Sequence, residues 1–200
     1  MITSKIISNI RKRLLELSAG VYSDDDLLVF ANQSKDEIQA EIQEKSRLKE
    51  TTLTFANGEA NIPDDFYSHS RSWLGDRWNE YKWVSPEIFD ELRLPQMICR
   101  IGNKIKIYPA DTASLTTRYY IKTDDLTNAE PAKEPNLHSY LHEAIVFGAI
   151  SRALEVSKDY SESAIYEAKF RDRLERAKIV IVNLEAGDGI EEVLLHHNKK

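Results

Sequence analysis

The order in which two hydrophobic periodicities follow one another is the feature that most constrains how this chain can fold. Apolar residues recur every three or four positions up to about residue 44 and again from about residue 137 to 182. Between about residues 51 and 122 they alternate with polar residues instead. A helix buries apolar residues every three or four positions and a strand buries every second residue, so each pattern indicates one type of secondary structure. We therefore predict helices on both sides of a β-rich insertion.

The helical stretches have recognisable ends. Gly20 can close the first stretch, and Ser23, which is followed by three aspartates, can open the second as in a capping box. A loop at 127–136 with two prolines precedes the third, and Gly187 and Gly189 follow the fourth. These signals predict antiparallel helices at about 4–18, 24–44, 137–157 and 161–182.

Turn signals divide the middle of the chain into short strands. Asn57-Gly58 and Gly102-Asn103 each stand between two alternating segments, as in β-hairpins. We therefore predict an α+β fold, an antiparallel bundle of about four helices with an inserted antiparallel β-subdomain and an extended C-terminal tail. The insertion would span about 51–122, residues 1–186 would form a single domain, and 187–200 would be the tail.

The charge balance and the cysteine content limit the classes of function. The net charge is −6, with 27 basic and 33 acidic residues, whereas a surface that binds nucleic acid generally needs clustered lysine and arginine. Cys99 is the single cysteine, so a disulfide framework is excluded. The N-terminal stretch is amphipathic and charged, without an apolar run of signal-peptide or membrane-span length. We predict a cytoplasmic chain without membrane contact.

The sequence offers few candidates for catalysis. It contains neither a glycine-rich phosphate loop nor the elbow motif of a serine nucleophile. His138 and His142 have the spacing of metal ligands on a helix, but a zinc protease would need another histidine where Val146 stands. We therefore predict a protein that is not an enzyme and that has no catalytic residue, metal or cofactor. A metal-dependent hydrolase that uses His138, His142 and an acid is one alternative.

A small binding module is a second alternative. Tryptophan, tyrosine and arginine side chains of the middle segment could stack on single-stranded nucleic acid or hold a peptide. Acidic residues stand between them, which favours a core or a subunit interface. The residues concerned include Trp73, Trp78, Trp83, Arg71, Arg77 and Arg118.

The C-terminal tail carries apolar residues with no obvious core to join. They are Ile190, Val193, Leu194 and Leu195, and they follow the two glycines. Such a segment forms either a short closing helix or an extended arm that docks on a partner. The sequence leaves both open, and we take these four residues as the candidate partner-binding site.

Several landmarks in a fixed order resemble the head-to-tail adaptor (head completion, or connector) proteins of short-tailed bacteriophages. The resemblance covers roughly residues 1–182, and each landmark resembles a helix, hairpin or strand of that family. In chain order they are DDDLLVFANQSKDEIQAEI, ANIPDDF, RIGNKIKIYPAD, LTTRYYIKTDDL and PNLHSYLHEAIVFGAISRALE.

This resemblance implies a structural virion protein of the neck, made in the host cytoplasm. Such a protein forms a homo-oligomeric ring under the portal protein, usually a dodecamer, and extends the DNA channel. Genomic DNA passes through that channel without specific binding, and the ring offers a platform to the next tail or nozzle protein. The resemblance also implies that the C-terminal tail docks on the portal.

Overall fold

The computed structural model describes the backbone of residues 1–16, 22–42 and 47–197, with side chains described as far as Ile181. The chain divides into two compact units. We call Met1–Glu44 together with Thr123–Lys200 the helical unit, and Lys45–Lys122 the sheet unit.

The described elements run in groups along the chain, with helices at both ends and strands on either side of one short helix between them. A 3-10 turn (Ser139–Leu141) precedes the fourth helix. In chain order the elements are α1 (Thr3–Glu16), α2 (Asp24–Glu41), β1 (Leu48–Phe55), β2 (Glu59–Asn61), β3 (Phe66–Trp73), β4 (Glu80–Trp83), α3 (Pro86–Leu92), β5 (Met97–Ile101), β6 (Lys104–Tyr108), β7 (Ala113–Ile121), α4 (His142–Val156) and α5 (Tyr160–His197).

In the helical unit, α1, α2 and α5 pack against α4. The capping box predicted at the start of α2 is confirmed, since the Asp26 amide donates to Ser23 Oγ at 3.1 Å and the Ser23 amide donates to Asp26 Oδ2 at 3.0 Å. Burying the apolar faces of these helices forms one core. Its members include Ile6, Ile10, Leu27, Ile38, Ile145, Ile150, Leu154, Phe170 and Leu174.

A glycine allows α4 to approach α2 closely. A Cβ atom added to Gly148 would lie 2.7 Å from Ser34 Oγ and 2.9 Å from Ser34 Cβ, closer than van der Waals packing permits. Gly148 therefore permits this close approach of α4 to α2.

The sheet unit contains one seven-stranded sheet in the order β1-β7-β3-β4-β5-β6-β2. The two outermost strands, β1 and β2, are joined by the Asn57-Gly58 turn and by a bridge between Ala56 and Glu59, so the sheet nearly closes into a barrel. Asn57 and Gly58 have φ angles of 52° and 76°, as the predicted hairpin turn requires. Side chains that point inward form its core, among them Leu53, Phe55, Ile98, Ile105, Ile107 and Leu115.

The predicted fold, an antiparallel bundle of about four helices with an inserted antiparallel β-subdomain and an extended C-terminal tail, is wrong. The described chain has five α-helices and a mixed α/β architecture, with a nearly closed seven-stranded sheet in place of a few hairpins. The strands β4 and β5 are parallel, whereas the other neighbouring strands of this sheet are antiparallel. The predicted extended tail is helical as far as His197.

Two physical effects account for these differences. Parallel strands need a crossover connection, and α3 supplies it between β4 and β5. Each glycine in a helix interior costs about 1 kcal/mol relative to alanine, which Gly187 and Gly189 impose on α5. Flanking alanine, leucine and glutamate residues favour the helix and offset that cost.

Candidate functional site

A row of polar side chains on α2 holds the segment by which the chain re-enters the helical unit. Lys35 is fully buried, and its Nζ donates to the Asp124 carbonyl at 2.9 Å and to Asp125 Oδ1 at 2.7 Å. A buried ammonium group requires such partners, because desolvating it alone would cost several kcal/mol. Lys35 therefore fixes the course of residues 124–125.

Asn32 and Gln39 bind the same segment on either side of Lys35. Asn32 donates to the Leu126 carbonyl at 3.0 Å and accepts from the Leu126 amide at 2.8 Å. Gln39 Oε1 accepts from the Thr123 amide at 3.1 Å and from its hydroxyl at 2.5 Å. Sequence analysis missed this row, since its members look like ordinary polar residues of an amphipathic helix. Their spacing, three and then four residues apart, was the available signal.

Ion pairs attach α5 to α2. Glu41 accepts from Lys178 Nζ at 2.9 Å and from Arg171 at 2.5 Å, while Glu37 contacts both Arg152 and Arg171. The hydrogen bond from Lys178, with the charges of both cations, lowers the pKa of Glu41. Part of the charged face of α5 is therefore engaged within the helical unit.

The predicted partner-binding residues belong to the distal part of α5. The backbone of Ile190, Val193, Leu194 and Leu195 continues the helix. Their side chains lie outside the described part of the chain, so their role stays a prediction.

His138 and His142 do not form a metal site together. His138 lies at the N-terminus of the 3-10 turn, where its Nδ1 accepts from the Tyr140 amide at 3.4 Å and its ring stacks on that of Tyr140. His142 is buried, with Nε2 2.9 Å from the Leu137 carbonyl, and burial lowers its pKa. Among the described residues, no group of three or more histidine, cysteine or acidic side chains could hold a metal ion.

Except for Trp78, the arginine and tryptophan residues predicted for nucleic-acid or peptide binding have partners within the sheet unit. Trp73 is buried beneath the guanidinium groups of Arg77 and Arg118. Arg118 pairs with Glu50 at 2.8 Å, and Arg71 pairs with Glu80 at 2.5 Å. These pairs neutralise the charge that would attract a phosphate backbone.

Aromatic rings form a stack between β3, β4 and β7. The rings of His69 and Trp83 are 4.2 Å apart, and Phe66 lies between Trp83 and Tyr119 at 6.3 Å and 5.4 Å. His69 Nε2 is 2.9 Å from Ser72 Oγ, and burial lowers the pKa of His69 to about 4. Ser72 is fully buried, so this hydroxyl cannot meet a substrate, and His69 is half-buried.

A polar cleft of about 450 Å³ opens beside this stack. Its walls include Asp64, Phe66, Arg100 and Asn103. None of these is a nucleophile paired with a base, which a covalent mechanism would require. Cys99 is fully buried, and burial raises the pKa of its thiol to about 11, which suppresses the reactive thiolate.

Comparison with known proteins decides the family. The sequence model of one family, described as SU10 adaptor protein, matches residues 1–188. This chain belongs to the SU10 adaptor protein family. The family comprises head-to-tail adaptors of short-tailed phages, so the predicted family is confirmed. No curated protein matches the sequence.

The SU10 adaptor family is one of structural phage proteins rather than enzymes. Its members interact with the portal and tail components of phages. The matched range includes all of the helical and sheet elements described here except the last residues of α5. In the described ranges, no helix combines the length and apolar character that crossing a membrane would need.

Proposed function

We propose that this chain joins the portal to the tail in the neck of a short-tailed phage particle, where copies of it form a ring that extends the DNA channel. Membership of the SU10 adaptor family carries this proposal. The ring is a dodecamer that binds the portal protein on one side and a tail or nozzle protein on the other. Its role is assembly, with no reaction step.

The distal part of α5 is the proposed contact with the portal. The helix has 38 residues and its partner α4 has 15. At 1.5 Å per residue, α5 is about 57 Å long and α4 about 22 Å, so α4 can cover less than half of α5. This difference in length supports a role for distal α5 outside the core of its own unit.

The spacing of the apolar residues suits a helix that docks in a groove. Positions 190, 193 and 194 fall on one side of a helix, with position 195 beside them. An amphipathic helix uses such positions as anchors when a partner offers an apolar groove. We therefore assign Ile190, Val193, Leu194 and Leu195 to portal docking.

Binding to purified portal protein tests this assignment. Deletion of residues 187–200 should abolish portal binding and leave the unfolding transition of the remaining chain intact. The double variant Ile190→Asp with Leu194→Asp should weaken binding about tenfold or more, since charge is placed on the docking side. A matched control, Ala164→Asp with Ala168→Asp, adds the same charges at the same spacing on exposed positions of α5. Equal binding by the two double variants would refute portal docking through these residues.

The acidic character of the chain supports passage of DNA without binding. With a net charge of −6, the ring surface as a whole repels phosphate. Negative-stain imaging of the chain mixed with its cognate portal should show portal particles with an added collar. A chain that forms no ring and adds no collar to the portal would overturn the proposed function.

A further inference from the structure

The sheet unit exposes large apolar side chains around the β3–β4 turn and along α3. Trp78, in that turn, is 96% exposed. The turn after α3 lies beside it, because the Gln96 side chain donates to Asn79 and the Lys82 amide donates to the Gln96 carbonyl at 2.7 Å. We call the exposed apolar residues of these two turns and of α3 the Trp78 patch, and they are Leu74, Trp78, Ile88, Leu92 and Leu94.

The Trp78 patch is bordered by acidic residues. Glu87 and Glu91 are exposed and four residues apart on α3, so they lie in one row beside the row of Ile88 and Leu92. No basic residue among those described pairs with either carboxylate. These two carboxylates favour a partner that brings cations as well as apolar surface, although Arg77 and Arg93 are also exposed next to Trp78 and Leu92 in the chain.

The outer face of α1 in the helical unit has that combination. Ser8, Arg11, Lys12 and Leu15 line an open depression of about 450 Å³, and Leu15 is 64% exposed. Lys5 is exposed two turns before Lys12 on the same helix. We call these residues the α1 depression.

One wall of the α1 depression is held in position. Arg11 donates to the Tyr22 carbonyl at 2.9 Å and also pairs with Asp24. A guanidinium group fixed in this way is preorganised to stack on the face of an indole ring, because its side chain loses little conformational entropy on binding. Leu15 adds apolar contact for the same ring.

We propose that the Trp78 patch of one copy docks in the α1 depression of a second copy, with Trp78 against Arg11 and Leu15. The glutamates of α3 then face Lys5 and Lys12. This inference rests on the proposed function, since it names the surfaces by which copies join in the ring. Because two different surfaces meet, the contact is heterologous and repeats from copy to copy.

Charge reversal tests the contact by sedimentation velocity on the full chain. The wild type should associate as its concentration is raised, whereas Lys5→Glu with Lys12→Glu, or Glu87→Lys with Glu91→Lys, should weaken association about tenfold or more. Trp78→Ala should do the same, and its exposed position leaves the fold intact. Combining all four charge reversals should restore association. The control Lys169→Glu with Arg176→Glu lowers the net charge as much as the lysine reversals do, at exposed positions of α5, and should associate as the wild type does.

Mixing the two charge-reversed variants gives a sharper test. Each retains one native surface, and the two reversed surfaces complement each other, so an equal mixture should associate by alternating the two variants, whereas each variant alone stays monomeric. A mixture that stays monomeric, a wild type that never associates, or reversed variants that associate normally would each overturn the proposal.

Portal binding, measured separately, distinguishes this inference from the proposed function. Charge-reversed monomers that still bind portal would support both the ring contact and the adaptor function. A wild type that associates through these surfaces and ignores the portal would refute the adaptor role alone, whereas portal binding with normal ring formation by the reversed variants would refute the inference alone.

Discussion

The half-buried histidine of the sheet unit should make the stability of this protein depend on pH. His69 stacks on Trp83 with ring centroids 4.2 Å apart, and its Nε2 lies 2.9 Å from Ser72 Oγ, which itself contacts Thr117 Oγ1 at 3.0 Å. Burial disfavours the charged imidazolium and lowers the pKa of His69 from 6.5 to about 4, although the nearby Glu80 acts in the opposite direction.

The sign of the effect follows from proton binding. Between about pH 4 and 6.5 the unfolded chain binds a proton at His69 that the folded chain does not, so the free energy of unfolding falls as the pH falls. At 1.36 kcal/mol per pKa unit, acidification to about pH 4.5 should cost about 2 to 3 kcal/mol through this residue. Above about pH 6.5 the contribution is fully present.

Urea unfolding at about pH 7 and about pH 4.5, followed by tryptophan fluorescence, measures this cost. His69→Phe keeps an aromatic ring on Trp83 and cannot be protonated. Carboxylates with lowered pKa values, such as Asp65 and Glu80, also lose stabilisation in acid, but they do so in both proteins. The wild type should therefore lose about 2 to 3 kcal/mol more than the variant. Equal losses, or an imidazole that titrates near pH 6.5 by NMR, would refute the reasoning.

Further substitutions test other contacts, each by urea unfolding or circular dichroism. Gly148→Ala should destabilise the helical unit by about 1 to 3 kcal/mol, because its methyl group would overlap Ser34, and adding Ser34→Gly should recover most of the loss. Asn32→Ala should cost about 1 to 3 kcal/mol, because it removes both hydrogen bonds to the re-entering chain; a change below 0.5 kcal/mol, on the order of a surface substitution, would contradict that. Gly187→Ala with Gly189→Ala should raise the helix content, because each change favours the helix by about 1 kcal/mol. Unchanged helix content would argue against a continuous α5.

Local signals in the sequence were sufficient where a few neighbouring residues decide the backbone. Ser23 and Asp26 predicted the start of α2, and Asn57-Gly58 predicted the hairpin turn that joins β1 and β2. The same holds for the family, because the order of helices, hairpins and proline loop is itself carried by the sequence. At the start of α2 and at the hairpin turn, the competing backbone conformations differ within a single turn of the chain.

The sheet order depended on contacts that no local pattern contains. No local pattern in this part of the sequence indicates that β1 and β7 pair, or that α3 connects β4 and β5 so that they become parallel. Those pairings follow from closing one sheet around a shared core, so the strands were predicted and their arrangement was not.

The polar row of α2 and the length of α5 were also outside what the sequence could settle. Lysine is usually a surface residue, and Lys35 is buried only because residues 124–125 return onto α2. Gly187 and Gly189 signal a helix end by themselves, yet the neighbouring helix formers outweigh them. By itself the sequence determined where most helices and turns lie, distal α5 excepted, since backbone preference is largely local. Tertiary structure alone decided which polar side chains are buried and which surfaces remain exposed for assembly, because burial depends on residues far apart in the chain.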